Sequence, residues 1–127
     1  MRTVGIGAID PAVLHLHEAT LTSVAAGESV LRAGAAVSDV AANIEKADGD
    51  MDLRPVRSMG HLCGTDLTEE RVSTANRRII APGTAVILHP GVIDLGSNWR
   101  TFWGQTYLCL EGNTERLHAA SDEFIIL

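Results

Sequence analysis

Ala81–Pro82–Gly83–Thr84–Ala85–Val86–Ile87–Leu88–His89–Pro90–Gly91 is the stretch on which the fold turns. Ala81–Pro82–Gly83 reads as a turn, residues 84–88 as a buried strand, and Pro90–Gly91 as its stop. His89 is thereby left at the end of a buried strand. Downstream, Asp94 and Gly96–Ser97–Asn98 read as a turn and residues 101–110 as a strand. Glu111–Gly112–Asn113 reads as a tight hairpin turn, with its return over residues 115–118. Residues 124–127 form a short closing strand. Upstream, Asp10 supplies a capping oxygen and Pro11 a first helical position. Leu14, Leu21, Val24, Ala25 and Leu31 recur at helical spacing, and Gly34 stands where a C-terminal glycine belongs. These signals predict one helix over residues 11–33, weakened at Gly27. A second helix is predicted at about 37–46, with Val40, Ala41 and Ile44 on one face. It starts at Ala36 or Ser38, of which only Ser38 offers a capping oxygen. Asp48–Gly49–Asp50 reads as a polar turn. Residues 53–58 suit a short strand that Pro55 restricts to an edge. Residues 60–66 read as irregular, and residues 68–78 as a loop or helical turn. Helices first and strands after make an α+β chain, two helices packed on an antiparallel sheet.

The composition narrows the function. A chain of 127 residues suits one domain with a real core, and 46% hydrophobic residues argue against disorder. A net charge of −6 and 4% aromatics argue against nucleic acid as a partner. The apolar runs are too short for a membrane span. Residues 1–7 lack a long apolar core, so no signal peptide is expected. Cys63 and Cys109 are too few for a disulfide scaffold, and reduced thiols in the cytoplasm are the expectation.

Three segments carry a resemblance. They are Gly60–His61–Leu62–Cys63–Gly64–Thr65–Asp66, the 81–91 stretch, and Gly104–Gln105–Thr106 followed by Glu111–Gly112. In order and spacing they resemble the pita-bread superfamily of methionine aminopeptidase, prolidase, aminopeptidase P and creatinase. The shared elements are GHGxG, a PG-strand-EPG element, and an ED[TS] strand ending in an EDG hairpin. Leu31–Arg32–Ala33–Gly34 with Asp39–Val40, Arg2–Thr3–Val4, and the closing Asp122–Glu123–Phe124–Ile125 fit the same pattern. The resemblance covers nearly all of residues 1–127. It implies a single half domain of the pita-bread fold, the C-terminal half.

The resemblance also implies a site and its loss. The family's dimetal centre uses two aspartates, one histidine and two glutamates. The aspartates lie upstream of the Arg2–Thr3–Val4 position. The metal histidine matches His61. One glutamate position holds His89, the other holds Gly104, and the adjoining aspartate position holds Gln105. A family histidine that contacts substrate falls on Thr68, beside Glu69. Two close divalent cations need bridging carboxylates, so a dinuclear mechanism is not expected. No metal and no cofactor are expected.

The residues themselves leave alternatives open. His61 and His89 suit acid–base catalysis across a shared cleft, with Glu69 (beside Glu70) as an added base. Each is equally readable as a packed or solvated residue. Cys63, two residues after His61, is either a thiol facing substrate or a small buried hydrophobe. Trp99, Phe102 and Trp103 wall a ligand pocket, an interface, or the core. Cys63, Thr68, Trp99, Trp103 and Gln105 are thus the candidate substrate contacts. His15 and His17 face different directions on a helix, and His118 reads as a surface residue.

Three functions follow. The first is a metal-independent, creatinase-like enzyme acting on a small-molecule or peptide-like ligand by C–N hydrolysis, elimination or cyclisation. The second is a non-catalytic binding module. The third is a fragment or subunit of an Xaa-Pro dipeptidase-like metallopeptidase. A half domain also leaves a sheet edge and an apolar face uncovered, which predicts a homodimer.

Overall fold

Asp10 starts the first helix as its chemistry requires: its Oδ1 accepts from the Ala12 N–H at 2.9 Å, and Pro11 occupies the first helical turn. The computed structural model describes residues 2–51, 54–55, 58–66 and 68–127. Helix α1 spans Pro11–Glu28 and α2 spans Val37–Asp50. The strands are β1 (Val4–Gly5), β2 (Arg54–Pro55), β3 (Gly60–Cys63), β4 (Glu70–Arg71) and β5 (Thr84–Leu88). They continue with β6 (Gly91–Ile93), β7 (Arg100–Phe102), β8 (Gln105–Leu110), β9 (Asn113–Arg116) and β10 (Ile125–Ile126).

The main sheet has five strands in the order β4-β3-β5-β8-β9, all neighbours antiparallel. A three-stranded antiparallel sheet, β2-β6-β7, continues from it. β1 and β10 pair in parallel and bring the two ends of the chain together. The 81–91 stretch is the centre of the main sheet, since β5 pairs on both sides. Its Val86 and Leu88 are fully buried with Leu62, Tyr107 and Cys109, under Val37, Val40, Ala41 and Ile44 of α2. Each fully buried aliphatic side chain of this kind contributes about 1.5–3 kcal/mol. α1 packs Leu16 and Ala19 against Val92. Thr101 pins that contact: its hydroxyl bonds the Leu16 carbonyl at 3.0 Å and the Thr20 hydroxyl at 2.6 Å.

Five sequence expectations need correction, the first being the stretch 68–78, where Glu70–Arg71 pairs with β3 as a strand instead of a loop or helical turn. The first helix ends at Glu28, not residue 33. Gly34 does take a positive φ of 87°. However, the chain has already left the helix axis to pair with residues 78–80, where Gly34 N–H bonds the Ile80 carbonyl at 2.8 Å. The second helix runs on through Asp48 and Gly49, because Asp48 is buried against α1 rather than solvated. Residues 60–63 form a strand, with alternate burial across it. Finally, residues 101–110 are not one strand. They break at Trp103–Gly104, and the two parts belong to different sheets. The edge strand is present at Arg54–Pro55; the remainder of 53–58, apart from Ser58, lies outside the described residues. No helix among the described residues is long and apolar enough to cross a membrane.

Asp48 yields a stability prediction. It is 1% exposed, and its Oδ1 meets the Ser23 hydroxyl, which also lies 3.1 Å from the Ala19 carbonyl. One serine proton cannot fully serve both acceptors. Asp48 Oδ1 therefore shares the Ser23 proton, and among the described residues Asp48 Oδ2 has no hydrogen-bond partner. Burial accordingly pushes the Asp48 carboxyl above its ordinary 3.8, against the lowering effect of the Ser23 bond. The folded state therefore holds a proton that the unfolded state releases above pH 3.8. Stability falls as pH rises from there through the folded value, then levels off. Asp48→Asn keeps an acceptor for Ser23 and removes the titration. Urea unfolding should show the variant more stable by about 1–3 kcal/mol at pH 7 and little changed near pH 4. A variant no more stable at pH 7 would refute the upward shift of the Asp48 carboxyl.

Candidate active-site cleft

The face of the main sheet opposite the helices is half-open, and the register decides what it carries. His61 on β3 pairs with Ile87 on β5, which pairs with Thr106 on β8. Side chains alternate along a strand, so these three share the open face. His89 lies two residues beyond Ile87 on that face, held by its N–H to the Met59 carbonyl at 2.9 Å. Because Leu88 pairs with Gln105, the position beside His89, just before β8, is Gly104. The result is a cleft of about 340 Å³, whose imidazoles are His61, His89 and His118. Ile87 and Phe102 supply its apolar wall, and Gly104, Gln105 and Thr106 one polar side.

The His61 and His89 ring centroids are 5.3 Å apart, and Phe102 stacks on His89 at 5.4 Å and 27°. Burial holds His89 below the usual histidine value, and the like charge of His61 lowers it further. His89 is therefore a neutral imidazole near pH 7, and its buried Nδ1 makes no well-formed hydrogen bond. Cys63 Sγ lies 3.4 Å from His61 Nδ1. Burial and the negative charge of Glu69 push the Cys63 thiol up. The group is thus a protonated thiol beside His61, not a thiolate nucleophile.

The structure brings His61, His89 and Gln105 together, with Cys63 against His61, and sets Glu69, Thr68, Trp99 and Trp103 apart. Gln105 lines the cleft, but it is 2% exposed and its amide nitrogen donates to the His118 carbonyl at 2.8 Å. Glu69 is exposed and accepts from the Thr65 N–H at 3.1 Å, on the turn after β3 rather than in the cleft. Thr68 is exposed beside it. Trp103 does not reach the cleft: it is fully buried, with the Arg2 guanidinium 4.4 Å from its ring centre. Trp99 is half-exposed and lines a separate hollow of about 400 Å³, with Val4, Ile6, Arg100 and Phe124. His118, which reads from sequence as a surface residue, joins the cleft instead. The hairpin register carries no signal for it. Continuing the ladder past Arg116, where β9 ends, would set His118 opposite Gln105 and off the cleft face. The chain leaves the ladder there, and His118 Nε2 reaches the Thr106 hydroxyl at 3.2 Å.

The site can be tested against a metal centre on its donors. Beside His61 stand an imidazole at His89 and no side chain at Gly104. Among the described residues, no group of three His, Cys, Asp or Glu is placed to hold a metal ion. Bridging carboxylates are what a dinuclear centre requires, so the residues present do not fit one.

Solved structures share this fold at low identity. An X-Pro aminopeptidase from Thermotoga maritima superposes with a TM-score of 0.89 at 17% identity, over 99% of this chain and 36% of that one. A dipeptidase from Pyrococcus horikoshii gives 0.90 at 23%, over 99% and 36%. The N-terminal domain of the FACT complex subunit SPT16 from chickpea gives 0.79 at 17%, over 92% and 31%. The chain thus spans about a third of the length of these structures and carries part of the pita-bread fold. No curated protein matches the sequence. A family model matches residues 1–116, and on that match the chain belongs to metallopeptidase family M24.

Proposed function

We propose that this M24 domain acts on a small C–N-bonded molecule by histidine acid–base chemistry, without the family's dinuclear step. The observation that carries the reading is the placement of His61 and His89 in one cleft, ring centres 5.3 Å apart. Neutral His89 takes a proton from the attacking or eliminating group. His61, braced by the Cys63 thiol at 3.4 Å, delivers one to the leaving nitrogen. The reaction is C–N hydrolysis, elimination or cyclisation. Xaa-Pro dipeptides, suggested by the dipeptidase and aminopeptidase relatives, and small amidines are the first substrates to assay.

The test compares turnover by chelator-treated protein with that by His61→Ala and His89→Gln. Turnover should survive chelation and fall by about 10²–10⁴ in either variant, with the melting temperature of His61→Ala unchanged. Activity that requires added metal, or that survives His61→Ala, overturns the reading. Stoichiometric Mn, Co, Fe or Zn in the purified protein would instead favour a metallopeptidase subunit.

A second reading, a non-catalytic binding module, has one specific support: the same fold occurs in SPT16, a subunit of a complex. Saturable ligand binding that is indifferent to His61 and unaccompanied by turnover would favour it. In either case we infer a homodimer. Val4, Ile6, Ile125 and Leu127 are 42–81% exposed around the β1–β10 pair, an apolar face that a second copy would cover. A sedimentation mass near 13.5 kDa at micromolar concentration would refute it.

A further inference from the structure

We propose that the cleft takes a small organic anion, a carboxylate on a flat apolar body, and that His118 stands with His61 and His89 as the group that selects it. This deepens the acid–base reading and rests on it for the site, though not for turnover.

Charge favours an anion. The protein carries a net −6, yet among the described residues no Asp or Glu side chain lines this cleft, and three imidazoles do. Imidazole N–H groups donate whether or not the ring is charged, so the cleft offers donors to an anion in either state. A cation in the same place would lose its hydration and find no counter-charge. Of the two carboxylates of the flanking arm, Glu123 does not line the cleft and Asp122 is committed elsewhere. Its Oδ2 accepts from Arg116 at 2.7 Å.

His118 is held at the cleft by bonds on either side of it. Leu117 N–H donates to the Thr106 carbonyl at 2.9 Å, and the Gln105 amide donates to the His118 carbonyl at 2.8 Å. Arg2 then ties the following segment down, bonding the Ala120 and Ser121 carbonyls and the Gly104 carbonyl from one guanidinium. His118 Nε2 lies 3.2 Å from the Thr106 hydroxyl, which faces the same cleft. An exposed histidine fixed by this many bonds is placed, not solvated at random.

Shape favours a flat body on that anion. Ile87 and the Phe102–His89 stack give the cleft a flat apolar wall. A volume of about 340 Å³ lies at the small-molecule end of ligand sites.

The test uses benzoate, benzamide and benzylamine, three probes of one shape and different charge, titrated calorimetrically into the full chain. The histidine ring resonances are followed by NMR in parallel. Benzoate should bind tightest and shift the rings of His61, His89 and His118. His118→Gln should weaken benzoate about tenfold while leaving the melting temperature unchanged, since the side chain is exposed. Benzylamine binding as tightly as benzoate, equal binding of all three, absence of benzoate binding, or unchanged affinity in His118→Gln each overturns the proposal. A chain that binds benzoate as expected but turns over no substrate overturns the catalytic reading and supports this one.

Discussion

Gly60→Ala should unfold the protein or cost it about 3 kcal/mol or more, a far larger effect than its single methyl group suggests. Gly60 sits at φ 150°, in a region that residues with a side chain rarely adopt. A Cβ built there would lie 2.2 Å from the Ile87 carbonyl oxygen. That atom is backbone in the central strand, so no side chain can swing aside to make room. Gly60 also pairs with Leu88, and its carbonyl accepts from the Val72 N–H at 2.9 Å. Relief of the overlap must therefore separate β3 from β5. These are the strands that carry His61 and His89, so stability and site geometry fail together. Urea unfolding gives the first quantity. The ring-to-ring contact between the two histidines, followed by NMR in any folded fraction, gives the second. Wild-type stability in Gly60→Ala would contradict so close an approach of these two backbones.

The contrast between Gly60 and His118 shows what the sequence makes legible. The 81–91 stretch could be read correctly because its signals are local: a turn, an apolar run and a proline stop. The Asp10–Pro11 cap is local in the same way. Where the fold departs from expectation, a distant contact has overridden a local one. Gly34 has the backbone conformation its residue type suggests, but pairing with residues 78–80 bends the chain before the helix reaches it. Asp48–Gly49 looks like a solvated turn, yet burial against Ser23 keeps it helical. At the candidate site, His61 and His89 were visible because they flank motifs. Glu69 and Trp99 were adjacent in sequence to motif positions, which says little about the face they occupy. His118 was invisible to motif and register reasoning alike, because the chain leaves the ladder after Arg116 and only the folded path brings the ring to Thr106.

Trp103→Ala should cost about 3–5 kcal/mol, lowering the melting temperature by roughly 10–20 °C. Its indole is fully buried at the break between β7 and β8. It lies between two cations, with Arg2 at 4.4 Å and Arg116 at 5.6 Å from the ring centre. Each of those arginines gathers a different part of the chain. Arg2 bonds the Gly104, Ala120 and Ser121 carbonyls, while Arg116 bonds both oxygens of Glu28 at 2.6 and 2.8 Å and Asp122 at 2.7 Å. The ring is thus the common support for the end of α1, the amino-terminal arm and the segment that follows His118. Removing it should release that segment before the central sheet. Hydrogen exchange should therefore show residues 117–123 losing protection first, while β3 and β5 stay protected until global unfolding. Trp103→Phe separates volume from polarity. The indole N–H is buried without a hydrogen-bond partner among the described residues, and its loss offsets part of the lost packing, so this variant should cost well under half as much. A Trp103→Ala protein with near-native stability, or one that loosens uniformly, would show that the arginine pair is held by its carboxylate and carbonyl partners alone.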